Sequence, residues 1–208
     1  MIFQYRLFFL AFLTILSQNL FSQKYSGNVN LYGFKYTDTK IFPSFTASLN
    51  RQSKKTDLYS ELRINYEDLN IYTALAGINY YLDKDSIATI TPFVGVSFGN
   101  FTSIPVGFNF FAETEKFEFY IQQQVNNRIN KSDTGFYFSW SEINYMFLKK
   151  KKFTAFAGIT NVVDASVNYS DVILGLKTGL TFFDSFETSF YLFSIKQSSY
   201  FISVLYEF

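Results

Sequence analysis

The stretch 199–208, Ser-Tyr-Phe-Ile-Ser-Val-Leu-Tyr-Glu-Phe, decides the fold. Tyr200, Ile202, Val204, Tyr206 and Phe208 share one face, and Phe201, Ser203, Leu205 and Glu207 share the other. A period of two is a β-strand, here with one wholly apolar face. Upstream, the same alternation recurs between short polar interruptions such as Gln52 to Thr56, Asp83 to Ser86, Gly99-Asn100 and Lys149 to Lys151. Strands are predicted near 27–36, 42–51, 57–66, 69–81, 87–98, 101–111, 116–125, 134–148, 152–160, 170–182, 185–195 and 199–208. Strands of about ten residues suit a tilted bilayer crossing.

A closing strand that ends on Phe208, with Tyr206 two before it, resembles the last strand of bacterial outer-membrane β-barrels. The resemblance implies an all-β fold, a closed antiparallel up-and-down transmembrane barrel in the cell outer membrane. It also implies that the strand ending at Phe208 is read by the barrel-assembly machinery. Twelve strands is the count and ten the alternative; an even number places both termini in the periplasm. The Phe- and Asn-rich composition, with Gln23 after a cleavage point, resembles the envelope proteins of Bacteroidota.

The start of the chain fits export. Arg6 is the only charge in the first 22 residues, and Leu7 to Leu16 are apolar and uncharged. Ten such residues are too few to span a bilayer as a helix and read as a signal-peptide core. The expected division is a signal peptide over 1–22 and a barrel over 23–208. Without Arg6 the remaining 17 basic and 17 acidic residues balance, which argues against nucleic acid as a partner. Aromatic residues make up 22% of the chain, with 28 Phe and 16 Tyr, more than a soluble surface hides. A lipid-facing wall accommodates them. Periodicity alone does not say which face is inside, so a secreted soluble β-barrel or sandwich with its apolar face inward is the competing architecture.

Parity assigns the faces. Leu58, Ser60, Leu62, Ile64 and Tyr66 oppose Tyr59, Glu61, Arg63 and Asn65; Val172, Leu174, Leu176 and Leu180 oppose Gly175, Lys177 and Gly179. An Arg facing lipid at the midplane costs about 2–4 kcal/mol, so the charged face is the inner one. Glu61, Arg63, Asn65, Glu118, Glu142 and Lys177 are the lumen candidates, with Glu187 and Glu207 on the same face. Lys116 is a further expected counter-charge. Gln123 falls on the lipid face. In the strand around Trp140, either a bulge lies near residue 140 or Phe136, Phe138 and Trp140 plug the lumen. Pro92 and Pro105 sit within neighbouring strands, where a missing donor predicts a bulge or break. Tyr66, Tyr80 and Tyr200, near strand ends, are expected in the interfacial girdle.

There is no histidine and no cysteine. That removes Ser-His-Asp and Cys-His catalysis, His-bearing metal sites, lipid anchoring through Cys and disulfides. No metal or organic cofactor is expected. Known outer-membrane enzymes such as omptins and phospholipase depend on a catalytic His. Acid–base work by inward carboxylates is the one chemistry left, and solvated ion pairing is their ordinary role. The outer connections are short, Asn161 to Tyr169 being the longest at nine residues. Two functions follow: a passive or weakly cation-selective channel, in which inward Gly77, Gly95, Gly107, Gly175 and Gly179 leave space, or a closed structural or interaction barrel of the outer envelope without transport activity. In the second, Tyr32, Phe34, Phe93, Tyr120, Tyr191, Phe193 and Phe201 fill the lumen. Outer-membrane lipid is the expected surrounding in both; the oligomeric state is not encoded in these patterns.

Overall fold

The computed structural model describes residues 25–35, 42–51, 56–66, 70–82, 88–129, 135–193 and 199–208. The expected signal peptide lies outside the described residues. The chain forms twelve antiparallel strands: β1 (Tyr25–Lys35), β2 (Phe42–Arg51), β3 (Asp57–Ile64), β4 (Ile71–Tyr81), β5 (Ala88–Gly99) and β6 (Ser103–Glu113), followed by β7 (Phe117–Arg128), β8 (Phe136–Lys150), β9 (Phe153–Ser166), β10 (Tyr169–Phe182), β11 (Phe186–Phe193) and β12 (Ser199–Glu207). Each pairs with its sequence neighbours, and β1 pairs with β12 to close the barrel. Closure leaves no unpaired edge, which is why strands can cross a hydrocarbon layer.

The seam runs from Lys35 opposite Tyr200 to Asn28 opposite Glu207. Past it, Gly27 and Phe208 exchange both main-chain hydrogen bonds at 3.0 Å. A side chain on Gly27 would run into the Ser48 carbonyl at 2.3 Å and the Phe208 ring at 3.1 Å. The Ser48 main chain leaves no room for a side chain at Gly27, and the Phe208 ring lies close to the same spot.

Sidedness follows parity through most of the wall. Leu31, Val94, Val96, Val106, Ile159, Leu174 and Ile202 are exposed on the outside, whereas Arg63, Thr73, Gln122, Gln124 and Asn144 are buried inside. This wall, apolar outside and polar within, is built for lipid and inverts a soluble barrel.

The two prolines interrupt the ladder without shifting it. Pairing of β4 with β5 skips from Gly77–Phe93 to Tyr80–Ile90, on the side where Pro92 offers no N–H. Pairing of β5 with β6 likewise skips from Val94–Val106 to Ser97–Ser103 around Pro105. Pro92 faces Phe108, one residue from the position opposite Gly107.

Three sequence readings are decided here. Of the two alternatives for β8, a bulge near residue 140 or inward aromatics, the bulge is not found there: the irregularity lies between Met146 and Leu148. Asn161 to Tyr169 is no loop: β9 and β10 pair as far as Ser166–Tyr169, leaving Val167 and Asn168 as the turn. Asn65 is the third. It follows β3 with φ 55°, and its side chain donates to the Pro43 carbonyl at 3.0 Å and accepts from the Asn70 N–H at 2.9 Å. A short amide tolerates the left-handed region and ties a turn, so Asn65 belongs to the rim and not to the lumen. That reversal ends the alternation and turns Tyr66 inward, away from any girdle.

Candidate functional site

The lumen has two unlike halves. At the end bearing Tyr25 and Glu207, a polar vestibule of about 570 Å³ is lined by every strand, from Asn28 and Asn30 on β1 to Leu205 and Glu207 on β12. Its wall carries seven carboxylates (Glu61, Glu113, Glu118, Glu142, Asp184, Glu187 and Glu207) and two lysines, Lys149 and Lys177. Small and amide side chains, among them Thr46, Ser48, Asn79, Thr91 and Asn109, fill the intervals. Asn79 donates to Asn50 at 2.9 Å and accepts from Thr91 at 2.6 Å.

At the inner end of the vestibule lies a layer of buried side chains with a cation in each half. On one side Arg63, fully buried, reaches across the lumen from β3 to Gln124 on β7 at 2.9 Å and holds Glu61 at 2.8 Å. With its oxygen turned to Arg63 at 2.8 Å, the Gln122 amide donates to the Tyr66 and Tyr120 hydroxyls at 3.1 and 3.2 Å. The Arg63 guanidinium also stacks over Tyr66 at 4.9 Å and Phe93 at 5.6 Å. The Tyr59 hydroxyl donates to Glu61.

On the other side Lys177 of β10 lies 2.7 Å from Glu142 of β8 and 3.4 Å from Glu187 of β11. Glu142 takes two further hydrogen bonds, from the Trp140 indole at 2.6 Å and the Tyr191 hydroxyl at 3.0 Å. A buried carboxylate this heavily hydrogen-bonded is satisfied, and so is its lysine. Glu118 accepts from Asn144 at 2.9 Å.

Aromatic rings join and back the two halves. Tyr66 contacts Trp140 at 6.4 Å and Phe138 at 5.9 Å between centroids. Phe201 stacks on Tyr191 at 4.1 Å and touches Phe34 at 4.7 Å and Trp140 at 5.5 Å. Phe138, Trp140, Tyr191, Phe193 and Phe201 form the buried apolar cluster. Phe138 and Trp140 of β8, with Phe136 packed against them, therefore lie in the lumen, as the plug alternative expected. Beyond them Ser44, Thr73, Ser97, Ser103 and Asn126 are buried as well.

Neighbouring side chains occupy the space over three of the inward glycines. A Cβ on Gly175 would meet the Phe193 ring at 2.7 Å, one on Gly179 the Phe156 ring at 2.4 Å, and one on Gly95 Leu75 at 2.6 Å. Each is the floor on which a neighbouring side chain lies flat.

Of the six lumen candidates, Glu61, Arg63, Glu118, Glu142 and Lys177 face inward, and Asn65 does not. Lys116 also misses the lumen: it is exposed in the turn between β6 and β7. Lys149 supplies the charge instead, 3.0 Å from Glu113. Parity did not single out Gln122 and Gln124, although both sit on the charged face of β7. What they signal is pairing with a lone Arg four strands away. Among the described residues no group of acidic side chains has the arrangement of a metal site.

Fold and wall define the class, a bacterial outer-membrane β-barrel. Solved structures of that class superpose on the chain. The KdgM porin in complex with disordered oligogalacturonate is 14% identical, with a TM-score of 0.59 over 87% of this chain and 99% of that one. The KdgM porin by itself gives 14% identity and 0.57 over 88% and 99%. A bacterial polysaccharide outer membrane secretin gives 9% identity and 0.53 over 90% and 77%. No protein-family model and no curated protein matches the sequence. These superpositions share the fold of small porin barrels.

Proposed function

We propose that the protein is a narrow, weakly cation-selective channel for small solutes, closed at rest by the Arg63–Tyr66–Trp140–Lys177 layer. The observation that carries the reading is the vestibule: a space of about 570 Å³ with a surplus of carboxylates that runs from one mouth to the middle of the barrel. A purely structural barrel has no need to keep such a space, since eight strands already enclose a filled interior. The polyanionic ligand in one KdgM complex is not proposed for this chain, because seven carboxylates against two lysines repel it.

The closing layer is side chain throughout, without an inserted segment of backbone among the described residues. Displacing a few rings opens a path. Planar-bilayer recording tests this: the refolded wild type shows small or brief conductance steps, and Trp140→Ala raises their size or duration several-fold. Silence in both variants rejects the channel and leaves the second reading, a closed envelope barrel, which the buried Trp140–Tyr191–Phe201 cluster favours. No enzymatic role is proposed. The barrel-assembly machinery is its proposed partner during insertion, through the strand ending at Phe208. Orientation with the vestibule toward the periplasm follows the usual placing of termini in this class.

A further inference from the structure

The buried layer in the middle of the barrel has an aromatic half and a polar half. On β8, β11 and β12 stand Phe138, Trp140, Tyr191, Phe193 and Phe201, with Val162 of β9 and Ile173 of β10 packed against them. The inward face of β7, by contrast, carries a hydrogen-bonding side chain at every position. Glu118 and Tyr120 line the vestibule, Gln122, Gln124 and Asn126 follow in the buried interior, and Arg128 ends the strand. Arg63 donates to Gln124 at 2.9 Å, and Gln124 Nε2 donates in turn to Asn126 Oδ1 at 2.8 Å.

Beside this column an inward row of hydroxyls crosses β4, β5 and β6, where Thr73 pairs with Ser97 and Ser97 with Ser103. All three are buried, and the Thr73 and Ser97 hydroxyls lie 2.9 Å apart. Row and column meet where Ser103 and Asn126 are diagonal neighbours, since Ser103 pairs with Arg128 and Pro105 with Asn126. There Ser103 Oγ and Asn126 Nδ2 are both shut off from solvent, with no hydrogen-bond partner among the described residues. Two such atoms in one corner are unfavourable unless something polar enters. A small molecule that donates and accepts hydrogen bonds satisfies both.

The two halves also differ in what parting them costs. Separating Phe201 from Tyr191 exposes apolar surface that water does not compensate. Separating Gln124 from Arg63 or Asn126 exchanges one hydrogen bond for another at little net cost. The column from Tyr120 to Asn126 carries no charge, and Arg63 beside it is paired with Glu61 at 2.8 Å.

Resting on the channel reading above, we propose that the passage across the layer follows the inward face of β7, past Gln122, Gln124 and Asn126 and beside Ser103. The aromatic cluster is its fixed wall, and the Arg63 arm moving off Gln124 is its gate. The solutes it fits are water and small polyols or amides, which donate and accept along the whole column. An uncharged column adds nothing to the preference set by the vestibule carboxylates, which keeps the cation selectivity weak.

The chain has no cysteine, so a single one reports on its own position. Ser103→Cys and Asn126→Cys are compared with Val162→Cys, in the aromatic half, by planar-bilayer recording before and after a small methanethiosulfonate reagent. Heat-modifiable migration verifies folding, and the protein mass gives the extent of labelling. The expected result is labelling at 103 and 126 with loss of most of the conductance, several-fold more than at 162. Ser103→Val/Asn126→Leu, which removes the hydrogen bonding without a reagent, should also lower conductance several-fold, whereas Phe193→Leu should not. A larger loss at 162, equal loss at all three positions, or no labelling at 103 and 126 in a protein that conducts overturns the route and leaves the channel reading standing. Silence of the wild type and of every variant overturns both.

Discussion

Lys177 Nζ and Glu142 Oε2 lie 2.7 Å apart in the middle of the barrel, 35 residues apart in sequence and both closed off from solvent. They come from strands separated by β9, so the pair bridges one whole strand of the wall. Trp140 and Tyr191 complete the carboxylate, tying the aromatic plug to the ion pair.

Replacing Lys177 with Met removes the cation and leaves Glu142 buried without its charge partner. Breaking a buried pair in this way costs about 3–5 kcal/mol, whereas removing both charges together is far milder. Urea unfolding of the barrel from lipid vesicles should show Lys177→Met strongly destabilised and Lys177→Met/Glu142→Gln recovering most of the loss. Equal instability of the two variants means that the pair does not act as a unit.

Glu118 and Glu207 line the vestibule without an ion-pair partner among the described residues. In the proposed channel these carboxylates face mobile ions instead of a fixed cation, and low-dielectric walls focus the field of a charged group. Glu118→Gln/Glu207→Gln should move the reversal potential under a salt gradient toward zero, by several millivolts at low ionic strength. An unchanged reversal potential, measured in a variant that conducts, removes these carboxylates from the selectivity mechanism.

Gly179 has Phe156 lying over it, with a Cβ position 2.4 Å from the ring and 2.6 Å from the Thr188 carbonyl. The carbonyl has no room to move. Gly179→Val should therefore destabilise the barrel by about 1–3 kcal/mol, the usual range for overpacking, or prevent it from folding. Gly179→Val/Phe156→Ala relieves the ring contact alone, and its heat-modifiable migration should recover only in part.

Phe208 is bound through its own main chain to Gly27, at the point where the barrel closes. Deleting Phe208 removes both hydrogen bonds and the aromatic end of the closing strand. Membrane-inserted protein in cells should fall several-fold, while refolding into detergent is affected less. A parallel loss in both assays points to stability alone and not to recognition by the assembly machinery.

Much of this was legible residue by residue. The alternation of β5, β6 and β10 marked inside and outside correctly because parity along a strand is a local property of the backbone. It failed where the backbone left the strand: Asn65, with its positive φ, carried itself to the rim and Tyr66 into the lumen. For the segment 136–140 the sequence left a bulge and a plug equally open, since both place aromatic residues against the expected rhythm. The structure has the plug there, and a bulge six residues further on.

The glycines show the boundary most clearly. In the sequence Gly95, Gly175 and Gly179 read as free space, because a missing side chain is all that a sequence displays. Whether that space stays empty depends on neighbours from other strands, and Leu75, Phe193 and Phe156 occupy it. The sequence alone determined strands with one apolar and one polar face, which follow from a period of two; the closed barrel was what the resemblance of the last strand implied, and the pairing of β1 with β12 bears it out. The tertiary structure alone decided that the lumen holds a polar vestibule backed by a cross-braced layer of buried side chains. Arg63 and Gln124, 61 residues apart, meet only once the wall has curved round to face itself.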